Sequence, residues 1–116
     1  MSNRRVKLGL AETALLFAAL GDETRLALLR RLSAAGPASI TTLAENFQMT
    51  RQAITKHLQF LAAAGVIEGE RAGREHHWTI NPDRLAEAQR YLDIIARGWD
   101  DALARLKAHI EGGQGG

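Results

Sequence analysis

Residues 41–61 read TTLAENFQMTRQAITKHLQFL, two apolar-patterned segments joined at Gln48 and Met49. In the first, Leu43, Ala44 and Phe47 recur at helical spacing behind Thr41, whose hydroxyl can cap a helix. After the turn, Thr50 supplies a second cap, and a further helix is predicted from Arg51 to Ala64, before Gly65. A short helix, a turn of about three residues and a second helix make a helix-turn-helix unit.

At about 100° per residue, Arg51, Gln52, Thr55, Lys56 and Gln59 share one arc of roughly 140°, opposite Ile54, Leu58 and Leu61. The apolar half belongs to a core. The polar half offers a guanidinium, an ammonium, two amides and a hydroxyl, groups that pair with base edges and with phosphate oxygens. No acid occurs from Asn46 to Ile67, although the chain holds 13 Asp and Glu. A carboxylate there would repel a phosphate backbone, so its exclusion is what a nucleic-acid-facing helix requires. An ordinary solvated face also carries Lys, Arg and Gln, but it usually mixes signs, as residues 82–116 do with six acids and five bases. His57, at the edge of the apolar half, is read as a packed side chain rather than a ligand.

Upstream, a first helix is predicted over Leu10–Leu20, with Leu16, Phe17 and Leu20 at helical spacing and Gly21 at its end. Asp22 is placed to cap a second helix, whose apolar face is read as Leu26, Leu29 and Leu32, and which stops at Gly36 and Pro37. Downstream, the period changes from helical to alternating. VIEGER (66–71) and REHHWTI (74–80) read as two strands joined at Ala72 and Gly73. Arg71 and Arg74 flank that tip, where long cations reach phosphates; Glu68, Glu70 and Glu75 weigh against a direct minor-groove contact. Adjacent His76 and His77 point to opposite faces of a strand, which argues against one shared metal ion. Because Trp78 and Ile80 share the face of His76, His76 is expected to pack inward and His77 to be exposed. The predicted fold is mainly α with a small β-hairpin, in the order α-α-α-α-β-β-α: a winged helix-turn-helix.

The last predicted helix runs from Asp83 to about Glu111. Leu85, Ala88, Leu92, Ile95, Trp99, Ala102, Leu106 and His109 or Ile110 repeat in steps of three and four, a coiled-coil-like seam. So long a seam on so small a chain is expected to pack partly on a second copy, with Leu16, Leu92, Ile95, Trp99 and Leu106 as candidate interface residues. Packing on the first helix of the same chain is compatible with this. Gly98, inside the helix, is either a point of close approach or a tolerated surface glycine.

At 116 residues the chain is expected to form one domain, residues 10–111, after a basic arm (1–9) and before a flexible Gly-rich tail (112–116). The arm carries Arg4, Arg5 and Lys7 without an acid, as either a solubilising tail or a DNA-touching segment. A net charge of +2 gives mild support to an anionic partner. With no cysteine there is no disulfide, thiol nucleophile or thiolate metal site, and the expected location is the cytoplasm, with no membrane partner.

FAALGDETRLALLRRL (17–32) followed by SITTLAENFQMTRQAITKHLQFLAAAGVIEGERAGREHHWTI (39–80) resembles the ArsR-type winged-helix bacterial repressors. The signatures are LGDETR, LAE with its turn before TRQAITKHLQFL, AAGVI and GRE, in this order and spacing. The resemblance implies a dimer joined through its first and last helices, with the fourth helix in the major groove of operator DNA and the wing near the minor groove. It places Arg51, Gln52, Thr55 and Lys56 at the positions that read DNA. Thr50 and Gln59 beside them, and Arg71 and Arg74 on the wing, complete the candidate DNA-binding set. The family's metal-sensing patterns, a cysteine motif or paired Asp and His positions on the last helix, do not match this chain, so no metal or cofactor ligand is assigned and the effector stays open. The expected function is a dimeric, sequence-specific repressor at a near-palindromic operator. A metal-responsive repressor of the same fold, or an assembly module without DNA binding, are the alternatives. No catalytic constellation supports an enzyme.

Overall fold

The computed structural model describes residues 8–115. The basic segment with Arg4, Arg5 and Lys7 lies outside the described residues. The elements are α1 (Leu10–Leu20), α2 (Glu23–Ala35), β1 (Ala38–Ser39), α3 (Ile40–Phe47), α4 (Arg51–Ala63), β2 (Ile67–Ala72), β3 (Glu75–Ile80) and α5 (Pro82–Gly115). None of the described helices is long and apolar enough to cross a membrane.

The predicted helices form, with corrections at their edges. Asp22 caps α2 by accepting the Arg25 amide at 3.0 Å. Leu28, Leu29 and Leu32 are its buried face, whereas Leu26 is 50% exposed. Leu26, Leu29 and Leu32 step by three, and each such step drifts about 60° around a helix, so the first member leaves the core face that Leu28 occupies. The cap of α3 is Ser39, not Thr41: its hydroxyl accepts the Thr42 amide at 3.2 Å. The two-residue strand β1 displaces the cap. Ala38 pairs with Trp78 and Ser39 with His77, giving a three-stranded antiparallel sheet in the order β1-β3-β2. A strand of two buried residues has no alternation to read, so the hairpin predicted from sequence was one strand short.

The β2–β3 register pairs Ala72 with Glu75, making Gly73 and Arg74 the two-residue turn, one position later than predicted. Gly73 adopts φ 68°, the left-handed conformation that such hairpin turns require. The core joins Leu16 of α1, Leu28 of α2, Leu43 of α3, Ile54, Leu58 and Leu61 of α4, and Val66 and Ile67 at the start of the wing, all at most 2% exposed. Leu16 is thus committed to the chain's own core, which removes it as an interface candidate: its spacing marks a buried face without saying whose residues cover it.

Ala88 is buried and Leu85 packs on the core, and Tyr91 meets Phe17 of α1 with ring centroids 6.0 Å apart. Beyond this point α5 leaves the body. Its 34 residues extend to Gly115, past the tail expected from residue 112. Once a helix is nucleated, each further residue adds one hydrogen bond, against about 1 kcal/mol for a glycine. The radius of gyration is 19.8 Å, against roughly 13 Å for a compact domain of this length.

Candidate nucleic-acid interface

Three sets of contacts fix α4 to the body. Ile54, Leu58 and Leu61 are fully buried. Phe60 lies beneath the guanidinium of Arg25, 4.0 Å from ring centroid to Cζ. The same guanidinium donates to the carbonyls of Ala19 (2.8 Å) and Ala18 (3.1 Å), closing the C-terminal end of α1. His57 Nδ1 lies 3.8 Å from Asp22 Oδ2, so the edge histidine packs beside the cap of α2. One turn of sequence, Asp22 to Arg25, therefore caps α2, terminates α1 and grips α4. Sequence spacing showed the cap; it did not show the grip, because Phe60 is distant in the chain. The Asp22 carboxyl is held below its ordinary pKa, chiefly by the Arg25 amide and then by the charges of Arg25 and His57, which outweigh its loss of hydration.

On the α3 side, Gln48 adopts a left-handed φ of 52°, and its amide and that of Met49 bond back to α3. Arg31 of α2 donates to Asn46 Oδ1 (2.8 Å) and to the Gly36 carbonyl (3.2 Å), tying the first helix of the helix-turn-helix to α2. Both helices are thus presented at a fixed angle.

Thr50 Oγ1 accepts the Ala53 amide at 3.1 Å, leaving the hydroxyl proton free to donate outward. The neighbouring first-turn amides have no intrahelical acceptor, which suits an anion. Arg51, Gln52, Lys56 and Gln59 are exposed and Thr55 half-buried; with Thr50 and Ala53 they line one open surface hollow. Thr55 Oγ1 donates to the Arg51 carbonyl at 2.7 Å, so toward a ligand it offers lone pairs and a methyl group, not a proton. Among the described residues neither Arg51 nor Lys56 makes an ion pair, and phosphate binding breaks no internal bridge.

The wing brings two further cations to the outside. Arg71 lies in β2 opposite His76, and Arg74 is the second turn residue; both are exposed. The expectation for the two histidines is reversed. His77 is the half-buried one, bonded to Glu75 Oε1 at 2.9 Å, while His76 is exposed. His76 does share a face with Trp78, their rings 5.0 Å apart, but the hairpin has by then run beyond the core that would bury it.

From Leu92 onward the seam of α5 is uncovered among the described residues. Leu92 (53%), Ile95 (52%), Trp99 (65%), Leu103 (46%), Leu106 (54%) and Ile110 (50%) are exposed, and they fall within an arc of about 80°. Leu103, absent from the three-and-four repeat, belongs to this stripe. Among the described residues nothing lies within 4 Å of a Cβ built on Gly98, which therefore marks no close approach between them.

Known proteins resemble this chain in sequence and fold. A family profile described as a helix-turn-helix domain matches residues 20–70. The HTH-type transcriptional regulator Rv2034 of Mycobacterium tuberculosis is 35% identical over 85 residues, 73% of this chain and 76% of its own. The arsenical resistance operon repressor of Escherichia coli is 30% identical over 78 residues, 67% of each chain. A solved ArsR-like transcriptional regulator from Rhodococcus sp. RHA1 superposes with a TM-score of 0.77 at 40% identity, covering 84% of this chain and 91% of that one.

Proposed function

The chain belongs to the ArsR-type family of winged-helix, DNA-binding transcriptional regulators, and from that premise we propose that it works as a homodimeric repressor at a near-palindromic operator. Residues 10–111 are the combined DNA-binding and dimerisation unit. The observation that carries the reading is the acid-free face of α4, with Arg51 and Lys56 unpaired among the described residues and the wing cations beyond it. Arg51, Gln52, Thr55, Lys56 and Gln59 enter the major groove. Thr50, Arg71 and Arg74 hold phosphates.

The second copy is supported by the uncovered stripe of α5. A helix of 34 residues spans about 50 Å, more than one small body can cover. Burying a side chain such as Leu, Ile or Trp is worth about 1.5–3 kcal/mol when complete, so an unpartnered stripe of six is costly. Twofold pairing sets two α4 helices about one turn of DNA apart, which is why the operator is a near-palindrome. The function is binding, with no catalytic step.

Selection of bound sequences from random duplex DNA tests this. The expected winner is an inverted repeat bound by two chains, with affinity abolished in Arg51→Ala/Lys56→Ala and the dimer intact. A double variant with unchanged DNA affinity would leave only the assembly reading, which the exposed seam alone favours.

A further inference from the structure

The sheet register sorts the wing into two chemically different faces. Side chains alternate along a strand, and residues directly opposite in an antiparallel pair share a face. The pairs Ile67–Ile80, Gly69–Trp78 and Arg71–His76 therefore lie on one side, and Glu68–Thr79, Glu70–His77 and Ala72–Glu75 on the other. All three wing carboxylates fall on the second side. At its root the first side is the one that packs on the helical body, through Ile67, Trp78 and Ile80. Farther out it is free, and it carries Arg71 and His76.

His76 is not loosely placed on that face. Its ring stacks on Trp78 at 38° between planes, and it lies directly over Gly69, where any Cβ would run into the imidazole. The missing side chain at Gly69 is thus what gives the ring its seat. Arg71 is the charged group that shares the face with His76; Glu70, Glu75 and His77 belong to the reverse side.

Building on the DNA-binding reading above, we infer that the wing approaches DNA by its Arg71–His76 face, and that His76 is a phosphate-contacting residue held in place by Trp78 and Gly69. A carboxylate-bearing face turned to the phosphates would repel them, so the charge sorting selects the side. An imidazole N–H is a donor that a phosphate oxygen accepts. Sequence alternation separates His76 from His77, but only the register joins His76 to Arg71 and sets both against the three acids.

The test measures operator affinity of each variant at one fixed salt and pH, with the fold checked by circular dichroism. His76→Ala, which removes the donor, is expected to bind several-fold more weakly than wild type while remaining folded, and His76→Gln, which keeps an N–H donor, to recover part of the loss. Gly69→Ala, which unseats the ring, is expected to reproduce the loss, whereas Glu70→Gln on the reverse face does not weaken binding. If His76→Ala binds as tightly as wild type while Arg51→Ala/Lys56→Ala still abolishes binding, the assignment of His76 is wrong and the DNA reading stands. If wild type binds no duplex DNA, both fall.

Discussion

Arg25 shows how one residue can decide where a distant helix sits. Its guanidinium satisfies two α1 carbonyls and stacks on Phe60 of α4, so removing it opens three elements at once. Arg25→Ala is expected to destabilise the fold by about 2–4 kcal/mol, the sum of charge-assisted hydrogen bonds and a cation–π contact, measured as a lowered urea midpoint. Arg25→Lys should lose most of that, because an ammonium lacks the planar fork. Asp22 makes a pH prediction. Its carboxyl is lowered in the folded state, chiefly by the Arg25 amide, so its stabilisation is full above its unfolded value and is lost as pH falls through the lowered folded value. Asp22→Asn keeps a capping oxygen without a charge, and its thermal midpoint is expected to fall less steeply than wild type as pH drops below about 4. On the face of α4 proposed to meet DNA, Arg51→Ala and Lys56→Ala should each flatten the salt slope by about 0.9 per lost phosphate contact. A change of preferred sequence as well would mark a base-reading side chain.

At the scale of elements, the wing and α5 have separable roles. Arg74 sits at the hairpin tip, away from the core, so Arg74→Ala should weaken operator binding without moving the thermal midpoint. The stripe on α5 carries the opposite expectation. Trp99→Asp places a charge in the middle of the apolar arc and is expected to convert dimer to monomer in sedimentation while the body remains folded, because residue 99 touches no core residue of its own chain. On the proposed dimeric reading operator affinity should fall with it, since a single α4 would meet only half a site. The second helix of the helix-turn-helix was legible because its signals are local: the cap at Thr50, Gly65 after α4, and an apolar face on Ile54, Leu58 and Leu61. The β1 strand and the Ser39 cap were not, because two residues acquire strand character only by pairing with β3.

For the molecule as a whole, the elongated shape follows from one helix. The extents are 74 × 38 × 24 Å, and the long axis is that of a body with α5 projecting from it. A monomer of this shape would expose a continuous apolar stripe; small-angle scattering is expected to give the mass of two chains, with the stripe covered. With about four phosphate contacts per chain, the dimer should lose affinity with a slope of log K on log salt near −7. A slope near half of that would indicate one chain on the DNA.

The residues alone determined the order of the five helices and the two hairpin strands, the polar and apolar halves of α4 and the seam on α5, because each depends on a period or a cap within a few neighbouring residues. Only the tertiary structure decided which apolar residues the chain keeps for itself. Leu16 and Leu28 go to its own core, while Leu26, Leu92 and Trp99 remain outside. It also decided that His57 sits against Asp22, and that the wing carries Arg71 and its three carboxylates on opposite faces. Burial and pairing are relations between segments far apart in the chain, and a helical or strand period states that a face exists without stating what will cover it.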